Sequence, residues 1–203
     1  NPSLSNRVSV KANGKLALTG FKRETRFPLF LHETESFEIK ENLKAYPDRS
    51  FLSKELGGYF LKRKFLNASN AKNFLCGSLV DQRLYFDELN DRYRFPEIFP
   101  CAYISCALLE KFLLEQLDFE QSPMVYSTHK ISIDRYCLSQ LKSNSLLHVL
   151  IRRHGDNKES NTLQTYDCFG LIAENKILFR AIVELVPLTN ILKAIKSHQV
   201  QKQ

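Results

Sequence analysis

The sequence predicts an α+β fold in which one long buried helix is wrapped by an antiparallel sheet. Three observations predict it. Residues 101–117 are apolar around most of a helical circumference. Four strand-like stretches follow, separated by short turn signals. The 203-residue chain is 43% hydrophobic and 25% charged, the composition of a globular protein that buries its own core.

The helix comes first. Pro100 suits the opening turn, where its missing N–H costs nothing. Behind it Ala102, Ile104, Cys106, Ala107, Leu108, Leu109, Phe112 and Leu113 leave no wide polar face. A helix of this kind needs an enclosure, and the next residues offer one. Val125–Leu138, Leu146–Arg153, Thr162–Ala173 and Lys176–Val186 read as strands. Turns at Lys142–Ser145, Gly155–Lys158 and Glu174-Asn175 join them into an antiparallel meander. Ile131 and Ile133 alternate with Ser132 and Asp134, whereas Leu146–Ile151 is partly apolar on both faces. Ile191–His198 reads as a terminal helix, and 199–203 as a frayed tail.

The first half is less regular. Arg7–Ala12 and Lys15–Thr19 alternate in period two around Asn13-Gly14, a pair that tolerates the positive φ of a hairpin turn. Phe27–Ile39 is extended, and Pro28 confines it to an edge or loop. Ser53–Phe65 and Leu79–Asn90 read as short helices, with Gly57-Gly58 interrupting the first. The expected organisation is a hairpin plus irregular helical region over 1–90, a core over 91–198 and a tail over 199–203.

Charge and cysteine usage narrow the function classes. The net charge of +7 is thinly spread, with 17 basic and 12 acidic residues in 1–100. The longest basic run is Lys62-Arg63-Lys64, too short for a polybasic tail. Such a surface attracts anions in general, including nucleic acid, acidic lipid, phosphorylated cofactors or an acidic carrier protein. The five cysteines are odd in number and form no C-x-x-C pair. They read as small hydrophobes in a reducing cytoplasm rather than as a disulfide framework. Residues 1–12 lack the apolar stretch of a secretory leader. Glu110, Lys111, Glu115 and Gln116 interrupt 101–117, so it cannot span a bilayer. Asn67-Ala68-Ser69 is a lone glycosylation sequon, a pattern common by chance. His32, His129, His148, His154 and His198 show no metal-ligand spacing, so neither a metal nor a cofactor is expected. G-x-S-x-G, P-loop and G-x-G-x-x-G signatures are absent.

A further set of residues carries a resemblance. Phe95-Pro96-Glu97-Ile98-Phe99-Pro100 precedes the helix, and Phe119 and Pro123 follow it. Next come Tyr126-Ser127-Thr128-His129-Lys130-Ile131-Ser132-Ile133-Asp134-Arg135, then Arg152-Arg153-His154-Gly155. Thr165-Tyr166-Asp167 ahead of Gly170, and Phe179-Arg180, complete it. Over roughly 90–188 this order resembles the MaoC-like acyl hydratases and dehydratases of the hot-dog superfamily. The resemblance implies a hot-dog fold, with a double hot dog as a variant if the first half forms a second unit. It also implies an acyl-CoA or acyl carrier-protein substrate, fatty acid metabolism, lyase or thioesterase chemistry, and homo- or hetero-dimers. The chain departs from that family where chemistry is concerned. It has no Gly-Asp-x-Asn-Pro element with a following His. The carrier-protein dehydratases place a Glu in the helix six residues after a Pro, where this chain has Cys106, and Glu110 is one turn late.

Hydration of an enoyl thioester needs a carboxylate and an imidazole around one water, plus a donor for the thioester oxygen. Glu97, between Pro96 and Pro100, is the candidate carboxylate, and the alternative is a solvated loop residue. His129 is the candidate imidazole, and the alternative is an ordinary strand histidine. Backbone N–H groups around Cys101–Tyr103 are candidate donors, although every helix start has such groups. Phe99, Tyr103 and Tyr126 are candidates for the acyl chain, with plain core packing as the alternative for the aromatic set. Arg152 and Arg153 are candidates for coenzyme A phosphates, with a solvated strand end as the alternative. Three functions compete. One is an enoyl-thioester hydratase or dehydratase, and another is a non-catalytic hot-dog subunit that binds an acyl tail or a partner supplying the missing groups. The third is a basic nucleic-acid-binding module, motivated by the +7 net charge and the interleaved aromatics of Tyr59–Phe65 and disfavoured by the dispersed charge.

Overall fold

The computed structural model describes residues 5–12, 15–23, 37–38, 50–53, 56–117, 120–154 and 163–193. Strands β1 (Ser5–Ala12) and β2 (Lys15–Arg23) pair antiparallel as the hairpin expected there, with a bulge between Val10 and Lys11. The segment 24–36, most of the stretch read as extended, lies outside the described residues.

Strand β3 (Ser50–Ser53) pairs with β4 (Tyr59–Leu66), which overturns the helix expected over Ser53–Phe65. Gly57 and Gly58, at φ 64° and 79°, form the turn ahead of β4 in a backbone region closed to most side chains. The periodicity of β4 is hidden because both of its faces are buried. Phe60 and Lys62 face one side, and Tyr59, Leu61 and Arg63 face the other, and all five are buried. Lys62 and Arg63 of the basic run are therefore interior, which weakens the motive for the nucleic-acid reading.

Helix α1 (Ala68–Gly77) had no counterpart in the sequence reading. Its cap is Asn67, whose side-chain oxygen accepts from the N–H groups of Ser69 (2.7 Å) and Asn70 (3.4 Å). Residues 79–90, read as helical, form a 3₁₀ turn (Gln82–Leu84), β5 (Phe86–Asp87) and a second 3₁₀ turn (Glu88–Asn90). Strand β5 pairs with β6 (Arg92–Tyr93).

The central helix α2 runs over Phe99–Leu114, with Pro100 in its first turn. It ends early against the expected 117 because Gln116 adopts φ 57°, and the Leu117 N–H donates back to the Phe112 carbonyl. The four expected strands follow as β7 (Met124–Ile133), β8 (Ser145–Arg153), β9 (Gln164–Leu171) and β10 (Ile177–Pro187). Strand β7 stops short of Leu138 because the Asp134 carboxylate accepts from the Cys137 N–H, capping α3 (Arg135–Ser139). Residues 188–193 are helical, and the rest of the expected terminal helix and the tail lie outside the described residues.

Six strands form one antiparallel sheet in the order β3-β4-β8-β9-β10-β7. The sheet thus draws strands from both sides of residue 90. One face packs on α2. Phe60, Val149, Ile151, Tyr166, Cys168, Phe179, Ala181 and Val183 share a buried cluster with Phe99, Tyr103, Ile104, Ala107, Leu108 and Phe112. Those strands span about 15 Å at ~4.8 Å spacing, so a helix of about 10 Å covers much of that face. A central helix packed on one face of an antiparallel sheet in this order is the hot-dog arrangement. Gly170 sets the fit: a Cβ there would meet the Phe179 ring at 2.1 Å. On the outer face Tyr59, Leu61, Leu150, Phe169 and Leu171 pack with Phe37 and Leu56. There Arg180 clasps Asp167 through two hydrogen bonds of 3.2 Å, both side chains about 90% buried. Burial on both faces explains the missing alternation in Leu146–Ile151.

Candidate functional site

The helix is not enclosed all round. Its sheet-facing side is buried, but Ser105, Cys106, Leu109, Leu113 and Leu114 are exposed, Leu113 by 60%. These positions recur at helical spacing and leave an apolar stripe in the open. Strand β7 forms the sheet edge beside it, with Tyr126 45% exposed. The Tyr126 hydroxyl and Ser105 Oγ are 2.9 Å apart, which ties the open side of the helix to the edge strand.

A β-bulge builds this corner. Thr128 stands opposite Glu184, but Tyr126 stands opposite Leu185, so Ser127 is an extra residue in β7. Without it Tyr126 would share the outer face with Thr128. With it, Tyr126 opposite Leu185 and His129 opposite Val183 both face the helix. Their rings stack with centroids 5.8 Å apart and planes at 21°. Partial burial pushes the Tyr126 pKa up, against the opposing effect of its hydrogen bond with Ser105, so the phenol keeps its proton at neutral pH. Partial burial lowers the His129 pKa, so the imidazole is neutral there. The site is a polar corner without net charge at the side of an apolar ledge.

The other expected site residues lie elsewhere. The Glu97 carboxylate bonds the Arg135 guanidinium at 3.0 Å, six residues along the chain from His129. Among the described residues no hydrogen bond joins Glu97 to His129. Phe99 is buried, stacked on Phe95 at 5.7 Å and edge-on to Tyr103, so it sits in core. Tyr103 is 9% exposed in the same cluster. The Cys101 N–H, one of the expected oxyanion donors, already donates to the Ile98 carbonyl at 3.0 Å.

Arg152 and Arg153 are neighbours on β8 and so face opposite sides of the sheet. Arg152 lies over the Tyr59 ring at 4.3 Å and donates to the Gly57 carbonyl. Arg153 stands opposite Tyr166 on the helix side, exposed. They do not form one clamp. His148 is buried opposite Arg63, His154 is exposed at the strand end, and His32 and His198 lie outside the described residues.

The cysteines that packing buries are poor nucleophiles. Burial pushes the Cys101 thiol up to about 12 and that of Cys168 well above its ordinary range. Among the described residues no group of three His, Cys, Asp or Glu side chains could hold a metal ion. No helix among them is long and apolar enough to cross a membrane. Sequence reasoning missed Ser105, which lies 21 residues from its partner Tyr126. Nothing local signals that contact.

No protein-family model matches the sequence. No curated protein matches it either. Solved structures do. An (R)-hydratase from A. caviae involved in PHA biosynthesis aligns over 62% of this chain and 91% of its own, at 11% identity and TM-score 0.46. The truncated HadBC (3R-hydroxyacyl-ACP dehydratase) complex from Mycobacterium tuberculosis aligns over 63% and 96%, at 10% identity and TM-score 0.48. A probable thioesterase from Bartonella henselae aligns over 64% and 90%, at 10% identity and TM-score 0.45. At this distance the fold description rests on the chain's own sheet order and helix.

Proposed function

We propose that this chain is a hot-dog subunit that binds an acyl thioester, of coenzyme A or of an acyl carrier protein, along the open side of α2. The observation that carries the reading is the ledge itself. An apolar stripe 106–114, about 12 Å long at 1.5 Å per residue, ends beside an uncharged hydroxyl–imidazole corner. An acyl chain with a thioester at its end has that same order of apolar and neutral polar groups. The MaoC-like activity would require a carboxylate beside His129. Glu97 is engaged by Arg135, so the hydratase pair is incomplete within one chain. The ligand-binding role thus takes precedence over hydratase, dehydratase or thioesterase activity by the chain alone.

A second sheet completes the picture. Strand β7 is an outer strand, and past the Ser127 bulge its His129–Ile133 half is regular. Such an edge accepts another strand. We assign it to a second hot-dog sheet, from a related subunit, which would roof the ledge and bring in the carboxylate that this chain lacks beside His129. Five cysteines, free where described, suit a reducing cytoplasm.

The test uses the full chain with crotonyl-CoA and octanoyl-CoA, measuring binding by calorimetry and hydration by product formation. Binding without hydration is the expected result. Hydration by the isolated monomer would show the reactive pair to be complete. Failure to bind either CoA thioester or the matching carrier-protein thioesters would overturn the reading.

A further inference from the structure

We infer that the Tyr126 hydroxyl, positioned by Ser105, donates a hydrogen bond to the thioester carbonyl of the bound ligand. The inference rests on the acyl-thioester reading above and names the group that recognises the carbonyl.

Three independent features of the fold converge on it. The first is the bulge. An extra residue, Ser127, interrupts a ladder that is otherwise regular along β7. Bulges cost pairing and are used where a side chain must be re-aimed. Here the side chain turned from the outer face to the helix face is Tyr126, opposite Leu185. The second is the contact made after that turn. A helical serine commonly bonds the carbonyl four residues back, but Ser105 Oγ instead meets Tyr126 at 2.9 Å. Either hydroxyl can donate in this pair, and with Ser105 as the donor the Tyr126 proton is left to point outward. Hydrogen bonds in series polarise one another, so this proton becomes a better donor. The third is access. Tyr126 remains 45% exposed, and Cys106 and Leu109 next to Ser105 are open as well. A ligand lying on the stripe reaches the hydroxyl without moving the core.

The chemistry of the corner selects the class of acceptor. Its partners are a serine hydroxyl, a phenol and an imidazole, with no Lys or Arg among them. Lys130, next to His129, faces the other side of the sheet opposite Ile182. No cation stands among these partners to offset the desolvation of a carboxylate or phosphate, whereas a neutral carbonyl needs only the donor. His129 stacks on the Tyr126 ring and fixes its orientation. Ser105 is thus a positioning residue, and Tyr126 touches the ligand.

The experiment compares octanoyl-CoA with octyl-CoA, the thioether that lacks only the carbonyl oxygen. Calorimetry is run on the 203-residue chain and on Tyr126→Phe, Ser105→Ala and Ser105→Thr. The native chain should prefer the thioester about two- to tenfold, the range one neutral hydrogen bond supplies. Tyr126→Phe should erase that preference, weakening octanoyl-CoA binding more than octyl-CoA binding. Ser105→Ala should reduce the preference, and Ser105→Thr should restore it. An independent reading comes from the infrared carbonyl band of bound octanoyl-CoA with ¹³C at the thioester carbon. It should lie lower on the native chain than on Tyr126→Phe. Equal affinity for the two ligands, or a preference and band that survive Tyr126→Phe, would overturn the inference and leave the acyl-binding reading standing. Failure of both ligands to bind would overturn the reading, and the inference with it.

Discussion

The two sides of α2 have nearly the same composition and opposite fates. On the sheet side Ile104, Ala107 and Leu108 are at most 2% exposed. On the open side Leu109 and Leu113 are 51% and 60% exposed. Hydropathy alone does not distinguish them. What differs is the opposing surface: the sheet covers only as far as its edge strand, and among the described residues no strand lies beyond β7. An apolar side chain is a core residue where a partner surface meets it, and otherwise a candidate ligand surface.

Substitutions should separate the sides sharply. Ile104→Ala removes buried methylenes from a fully enclosed position and should cost about 2–5 kcal/mol in urea unfolding. A cost below about 1 kcal/mol would mean that this side is not enclosed. Gly170→Ala tests the opposing wall. Its new methyl must displace the Phe179 ring, and overpacking of this kind costs about 1–3 kcal/mol. Leu113→Ala should stay within about 0.5 kcal/mol, since the side chain is mostly in water. The same change should weaken octanoyl-CoA binding, and a variant that alters stability but not binding would reverse the assignment of the two sides.

The same comparison explains what the sequence makes legible. The helix at 101–117 is readable because Pro100 marks its start and its apolar run is long. Strands β7 to β10 are readable because turn residues separate them. Strand β4 is not, because Lys62 and Arg63 are buried charged residues on opposite faces, and a central strand shows neither alternation nor an unbroken apolar run. Lys62 is held by an ion pair with Glu110 of the helix, a partner 48 positions away. Helix α1 escapes for a different reason: only Ala71 and Leu75 are buried, so its amphipathic signal is one i, i+4 pair. At the site, His129 and Tyr126 can be singled out from sequence. Their shared face depends on the Ser127 bulge, which no local residue pattern announces. Glu97 sits between two prolines as read, but which guanidinium it meets is a matter of tertiary packing.

The smallest predicted effect concerns pH. The folded chain holds a proton on His129 more weakly than the unfolded chain, because burial disfavours the charged ring. Its contribution therefore lowers stability as pH falls through the ordinary histidine range near about 6.5, and is constant above it. Urea unfolding of the native chain should lose a small increment on acidification that His129→Gln does not. The imidazole resonances should titrate below the ordinary midpoint, and Tyr126→Ala should move that midpoint upward by uncovering the ring.

The central claim is that the open side of α2 and the adjoining edge strand, rather than the sheet's outer face, receive an acyl thioester. Backbone amide shift mapping of the ¹⁵N-labelled chain titrated with octanoyl-CoA tests it most directly. Shifts concentrated at 105–114 and 124–131 are the predicted result. Shifts concentrated on the outer face around Leu61, Leu150 and Phe169, or no shifts at all, would contradict it.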